Sequence, residues 1–123
     1  MPRILTVGHC DFDHGNLSRM LEAGFAAQVD RAHGLDDARA ALHARAYDLV
    51  LLNRILDRDG AEGLRILAAL KSDAATCDVP VMLISNYPDA QSAAVAAGAL
   101  HGFGKAELNT PATLDRIRTA LAS

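Results

Sequence analysis

The residues best suited to chemistry fall into three short groups. His9-Cys10-Asp11-Phe12-Asp13-His14 packs imidazole, thiol and carboxylate types into six positions. Zinc and related transition metals accept such groups in tetrahedral sites, so His9, Cys10, Asp13 and His14 form one candidate ligand set. Against it, the four sit in one loop and lack the spacing of known metal motifs. The plainer reading is a polar loop in which Asp11 or Asp13 caps a helix and Cys10 packs partly. The second group is Asp57-Arg58-Asp59-Gly60, whose composition reads as a solvated turn. The third is scattered: Asn53, Ser85-Asn86 and Lys105. The chain has ten arginines and only two lysines, so each lysine stands out.

Alternating element types would position these groups. Ile4 to Val7 is a short apolar run ended by Gly8. Asn16 to Gly24 has helical spacing, with Gly24 as its stop. Ala26 to Ala32 reads as a weak second strand, and Asp36 or Asp37 can cap the helix after it. Asp48 to Asn53 and Val79 to Ser85 are apolar at successive positions, as strands buried on both faces are. Leu64 to Lys71 and Asp89 to Ala97 are helical, the latter closed by Gly98. A short strand around Leu100 to Phe103 precedes a helix from Pro111 to Leu121, capped by Asn109 or Thr110. Five β-α units predict a parallel sheet covered on both faces, with right-handed crossovers. In such a fold, ligands and chemistry gather at the C-terminal ends of the strands. Gly8, His9, Asn53, Ser85, Asn86 and Lys105 all fall there.

Composition narrows the classes. The chain has 123 residues, half of them hydrophobic, and a net charge of −3. One domain over residues 1–123 is expected. The acidic balance and five aromatics, with no Trp, argue against a nucleic-acid face. There is no apolar run of the ~18 residues needed to span a membrane and no signal-peptide core, so a cytoplasmic location is expected. Cys10 and Cys77 make no disulfide framework. No glycine-rich phosphate loop or activated nucleophile points to an enzyme.

Three stretches carry a family resemblance: Tyr47-Asp48-Leu49-Val50-Leu51-Leu52-Asn53, Asp78-Val79-Pro80-Val81-Met82-Leu83-Ile84-Ser85, and Gly98-Ala99-Leu100-His101-Gly102-Phe103-Gly104-Lys105. In order and spacing they resemble the receiver domain of two-component response regulators, over essentially the whole chain. The resemblance implies a flavodoxin-like (βα)5 sheet of order 2-1-3-4-5. It implies a site in which an Asp ending strand three takes a phosphoryl group, an acidic pair after strand one holds Mg²⁺, and a hydroxyl and a lysine complete the pocket. Ser85 and Lys105 match the last two. Asn53 stands at the phosphoacceptor position, and Gly8 and His9 stand at the acidic pair. Asn86 replaces the small residue after the hydroxyl, and Gly102 stands where an aromatic switch is common. The loop after Asn53 is two residues longer if Glu62-Gly63 takes the family's Asp-Gly place.

From these residues we expect a degenerate, stand-alone receiver that needs no Mg²⁺ or other cofactor and is not phosphorylated on Asp. The chain ends just after the fifth helix, so no output domain is expected on it. Its expected partner is a protein, such as a histidine kinase or another response regulator in a phosphorelay, with no nucleic acid or membrane involved. The expected docking face includes Ala93, Ala97, Gly102 and Phe103. Asn53, Ser85 and Lys105 are expected to close into a cluster in which Lys105 donates to the Asn53 carbonyl. The alternative is that the pocket reads a small anion, or that the His9–His14 loop reads a transition metal.

Overall fold

β3 (Leu49–Asn53) and β4 (Val81–Ile84) are buried at every position. Their apolar residues have no polar partners to gain at a surface, so they form the middle of a sheet. In the computed structural model, which describes residues 1–122, β1 (Arg3–Val7), β2 (Gln28–Ala32) and β5 (Leu100–Phe103) join them. All pairings are parallel, in the order β2-β1-β3-β4-β5. This is the doubly wound, flavodoxin-like sheet expected from the sequence.

Side-chain alternation splits the core in two. Leu5, Val7, Val50, Leu52, Val81 and Leu83 meet α2 (Leu35–Ala44), α3 (Gly63–Lys71) and α4 (Pro88–Ala96). Ile4, Leu49, Leu51, Met82, Ile84 and Phe103 meet α1 (Asp11–Phe25) and α5 (Pro111–Ala122). Among the described residues no helix is long and apolar enough to cross a membrane.

Two helix starts, those of α1 and α2, differ from the sequence expectation. α1 begins at Asp11, five residues before Asn16. Its N-cap is Cys10, whose Sγ accepts from the Asp13 backbone N–H at 3.5 Å. Asp11 and Asp13 therefore lie in the first turn, where carboxylates favour the positive helix end. α1 also runs through Gly24 and ends on Ala26, which has a left-handed backbone (φ 50°). α2 is capped by Gly34 rather than by Asp36 or Asp37. Asp37 reaches back and accepts from the His33 and Gly34 N–H groups, both at 2.7 Å. α5 starts at Pro111 as expected, with Thr110 Oγ1 accepting from the Thr113 N–H.

Candidate functional site

β1 is followed by Gly8, whose backbone is left-handed at φ +79°. A Cβ there would lie 2.3 Å from Leu56 Cγ. Leu56 is fully buried, so the space beside residue 8 already holds an apolar side chain. The segment carrying Leu56 is strapped down. The Gly8 carbonyl accepts from the Asp57 N–H at 2.9 Å and from Asn53 Nδ2 at 3.0 Å. Ile55 bridges Glu62, and the Leu56 N–H donates to the Ala61 carbonyl. Beyond this strap, 57–60 is an exposed turn with Asp59 Oδ1 accepting from the Ala61 N–H, the solvated turn predicted above.

Asn53 uses its whole amide inside this strap. Nδ2 donates to the Gly8 carbonyl and, at 2.8 Å, to the Ile55 carbonyl. Oδ1 accepts from the Arg54 N–H at 3.0 Å. The two carbonyls demand a donor, and an ionised aspartate has none. The expected bond from Lys105 to Asn53 is not formed. Lys105 Nζ instead pairs with Asp13 Oδ2 at 2.6 Å, because α1 starts early enough to carry Asp13 to it.

His9 is buried, and its Nε2 donates to the Leu51 carbonyl at 3.0 Å. Nδ1 has no partner. Burial lowers its pKa to about 4, against the raising pull of the Leu51 carbonyl, so the ring is neutral near pH 7. His14 is held by Thr6 Oγ1 at 2.9 Å and Ser18 Oγ at 3.2 Å. Thus, of the candidate metal set His9, Cys10, Asp13 and His14, Cys10 and Asp13 meet through the Asp13 N–H, while His9 is held by the Leu51 carbonyl and His14 by Thr6 and Ser18. Among the described residues no three His, Cys, Asp or Glu side chains are grouped to hold a metal ion.

The other half of the site is more open. The hydroxyl of Ser85, which is buried, accepts from the Tyr87 N–H at 3.1 Å. Exposed Asn86 accepts through Oδ1 from the Ala106 N–H at 3.1 Å. A cavity of about 180 Å³ is lined by Asn53, Arg54, Ile55, Ile84, Ser85, Asn86, Tyr87 and Lys105. It has two cations in its wall and no carboxylate. The Arg54 guanidinium lies 4.8 Å from the centre of the Tyr87 ring, a favourable cation–π placement.

The divalent cation implied by the resemblance does not fit these residues. Mg²⁺ takes hard oxygen ligands, carboxylates above all. Here its place in the chain is held by a glycine under Leu56, a neutral imidazole tied to a backbone carbonyl, and an amide presenting hydrogens.

Sequence reasoning missed Gln91. It is buried on α4, where Nε2 donates to the Leu83 and Ser85 carbonyls at 2.8 and 3.2 Å and Oε1 accepts from the Gly102 N–H at 2.9 Å. It ties the ends of β4 and β5 together. Its signal was a lone amide among alanines on the face that also buries Ala94. A Cβ at Gly102 would lie 2.1 Å from the Leu83 carbonyl oxygen, so no aromatic side chain fits at that position. The expected docking face is also corrected. Ala93 and Ala97 are exposed, but Gly102 and Phe103 are buried, Phe103 within the α1–α5 core. Val95 and Leu100 are the large apolar side chains exposed there, at 44% and 41%.

No protein-family model matches the chain, and no curated protein matches it. Solved structures do. The signal receiver domain of a DNA-binding response regulator from Colwellia psychrerythraea 34H is 29% identical, with a TM-score of 0.80 and 100% of both chains covered. A response regulator from Thermotoga maritima is 22% identical, with a TM-score of 0.81 over 100% of this chain and 99% of that one. A response regulator from Burkholderia pseudomallei, solved with a phosphorylated aspartic acid and a calcium ion, is 23% identical, with a TM-score of 0.72 over 98% of this chain and 66% of that one. The fold is that of receiver domains, and the likeness supports a role in signal transduction.

Proposed function

We propose that this chain is an atypical receiver domain that signals by protein–protein contact, without Asp phosphorylation and without Mg²⁺. The observation that carries the reading is Asn53 donating both amide hydrogens to backbone carbonyls at 3.0 and 2.8 Å. A nucleophile there needs a free, ionised oxygen facing the incoming phosphorus. This position supplies neither the charge nor the free orientation.

The partner is a histidine kinase or another response regulator of a phosphorelay, and a cytoplasmic location belongs to the same reading. Docking falls on α4, β5 and α5, around Ala93, Val95, Ala97 and Leu100. The test is the affinity for a purified kinase or receiver of the same cell, measured with and without a small phosphodonor and Mg²⁺. The expected result is one affinity in both conditions, reduced at least ~10-fold in a Leu100→Asp variant, as for truncation of an interface anchor. An affinity that appears only with phosphodonor and Mg²⁺ contradicts the reading.

A further inference from the structure

At the N-terminal ends of β3 and β4, opposite the end that carries Asn53 and Lys105, a second cavity of about 270 Å³ opens between α2 and the loop before β4. Leu42, the Tyr47 ring and Val79 give it an apolar floor that packs on the core beneath. The polar atoms that could have wetted this floor are spent elsewhere. The Tyr47 hydroxyl donates to Asp30 Oδ2 at 2.7 Å, and the Thr76 hydroxyl donates to the Leu70 carbonyl at 2.7 Å. Lys71 Nζ donates to the Cys77 and Val79 carbonyls at 3.0 and 2.8 Å, so the loop that forms one wall is pinned before any ligand arrives. Two exposed charges line the opening, Arg45 after α2 and Asp78 before β4. Among the described residues they do not pair with each other. Arg45 lies 4.0 Å from Asp30, at the limit of an ion pair. Lys71 feels the Asp78 charge from a distance but commits its ammonium to the two carbonyls.

An apolar floor between one cation and one anion selects a molecule that carries both charges on an apolar body. The two charges cancel, so neither a simple anion nor a simple cation is favoured. At about 270 Å³ the cavity falls below the ~300–1,000 Å³ of pockets for drug-sized ligands, which leaves room for a single residue. We infer that this cavity binds a free α-amino acid with an apolar side chain. Its carboxylate meets Arg45, its ammonium meets Asp78, and its side chain lies on Leu42, Tyr47 and Val79. No covalent bond forms. A residue inside a peptide has neither charge, so a peptide segment does not satisfy both walls. Filling the cavity ties α2 to the loop before β4 and stabilises the folded chain by mass action. This inference is independent of the docking proposal above, since it concerns the isolated chain and elements other than α4, β5 and α5.

The experiment is a titration of the ¹⁵N-labelled chain with L-leucine and with L-phenylalanine at fixed pH and ionic strength, read by amide chemical shifts. Saturable shifts at Ala46, Tyr47, Asp78 and Val79 with either amino acid are expected. Three controls each remove one feature: glycine the apolar body, N-acetyl-leucine the ammonium, and leucinamide the carboxylate. Each should bind at least ~10-fold more weakly than leucine, as loss of a buried side chain or a charge-assisted bond does. Arg45→Gln and Asp78→Asn should each weaken leucine binding ~10-fold. Asp78→Asn should leave N-acetyl-leucine unchanged, because the group it would meet is already gone. A response to neither amino acid, one that does not saturate, one that N-acetyl-leucine or leucinamide reproduces at equal affinity, or one that survives the Arg45→Gln/Asp78→Asn double variant overturns the inference. Both side chains are exposed, so the variants should melt with the native chain. A melting-temperature rise with leucine that the double variant lacks is the second readout.

Discussion

The β1–β3 end of the sheet and the β4–β5 end face each other across one site, yet they are built on opposite rules. At β1–β3 the polar backbone is satisfied internally. Gly8, Leu56 and Asn53 fill space and trade hydrogen bonds among themselves. At β4–β5 Gln91 ties the strand ends from within, while Ser85 and Asn86 accept from the backbone and keep their donors for the outside. The first half cannot be changed without breaking packing. The second presents exposed side chains that can be changed without disturbing that packing. Packing thus governs one half of the site and solvent access the other.

The contrast predicts a graded series of effects. The largest should follow Gly8→Asp. It places a side chain at positive φ against Leu56, so strain and overpacking add to about 3–4 kcal/mol. Urea unfolding measures it. Leu56→Ala added to Gly8→Asp should recover part of the loss, since the two residues are in contact. Equal losses with and without the Leu56 substitution would remove the plug from the account.

Next is the pH response of His9. Its folded pKa is depressed to about 4 from 6.5, so below about 6.5 the unfolded chain binds more protons. The stability from keeping this ring neutral is whole above that pH. It is lost as pH falls toward 4, with a total of roughly 2–3 kcal/mol. His9→Gln should flatten that part of the profile. His14 is lowered in the same direction, by burial first, and its slope should survive in the variant. An unchanged slope in His9→Gln would show that the ring is not the titrating group.

Asn53→Asp comes third. It sets a carboxylate against two carbonyl oxygens and removes their donors, at about 2 kcal/mol near neutral pH. The folded pKa of that Asp is raised, so the variant gains stability relative to the native chain as pH falls. A variant as stable as the native chain at neutral pH would mean that the strap tolerates an ionised group.

The smallest effect belongs to the Asp13–Lys105 pair. The carboxyl of Asp13 is opposed by burial, but hydrogen bonds to Lys105 and Cys10 and the Lys105 charge hold it below the usual carboxylate range. Both side chains are partly exposed, 21% and 38%, so Asp13→Asn should cost no more than about 1 kcal/mol. A loss as large as that of Asn53→Asp would show that solvent screens the pair far less than its exposure implies.

The sheet was legible because its signals are periodic. Doubly buried strands must be apolar at every position, and Leu49 to Leu52 and Val81 to Ile84 say so directly. Glycine and proline punctuation placed β5 and α5 well. The start of α1 was hidden because its cap is a cysteine, a residue type that rarely caps. The site was legible as a set of positions but not as a set of bonds. Gly8, His9, Asn53, Ser85, Asn86 and Lys105 do gather at the strand ends. Which donor meets which acceptor depended on the extra turn of α1, which gave Asp13 to Lys105, and on the loop that brought Leu56 over Gly8. Neither follows from residue types. Phe103 is expected on a docking face with Gly102, beside the alanine-rich face from Ala93 to Ala97 and the last helix, but alternation turns its ring into the core.

The most direct test of the central claim is the intact mass of the native chain after incubation with a small phosphodonor and Mg²⁺, beside Asn53→Asp and Gly8→Asp/Asn53→Asp. The account predicts that the native chain stays unmodified in every condition. A single phosphoryl group on the native chain, stable enough to map, would contradict it.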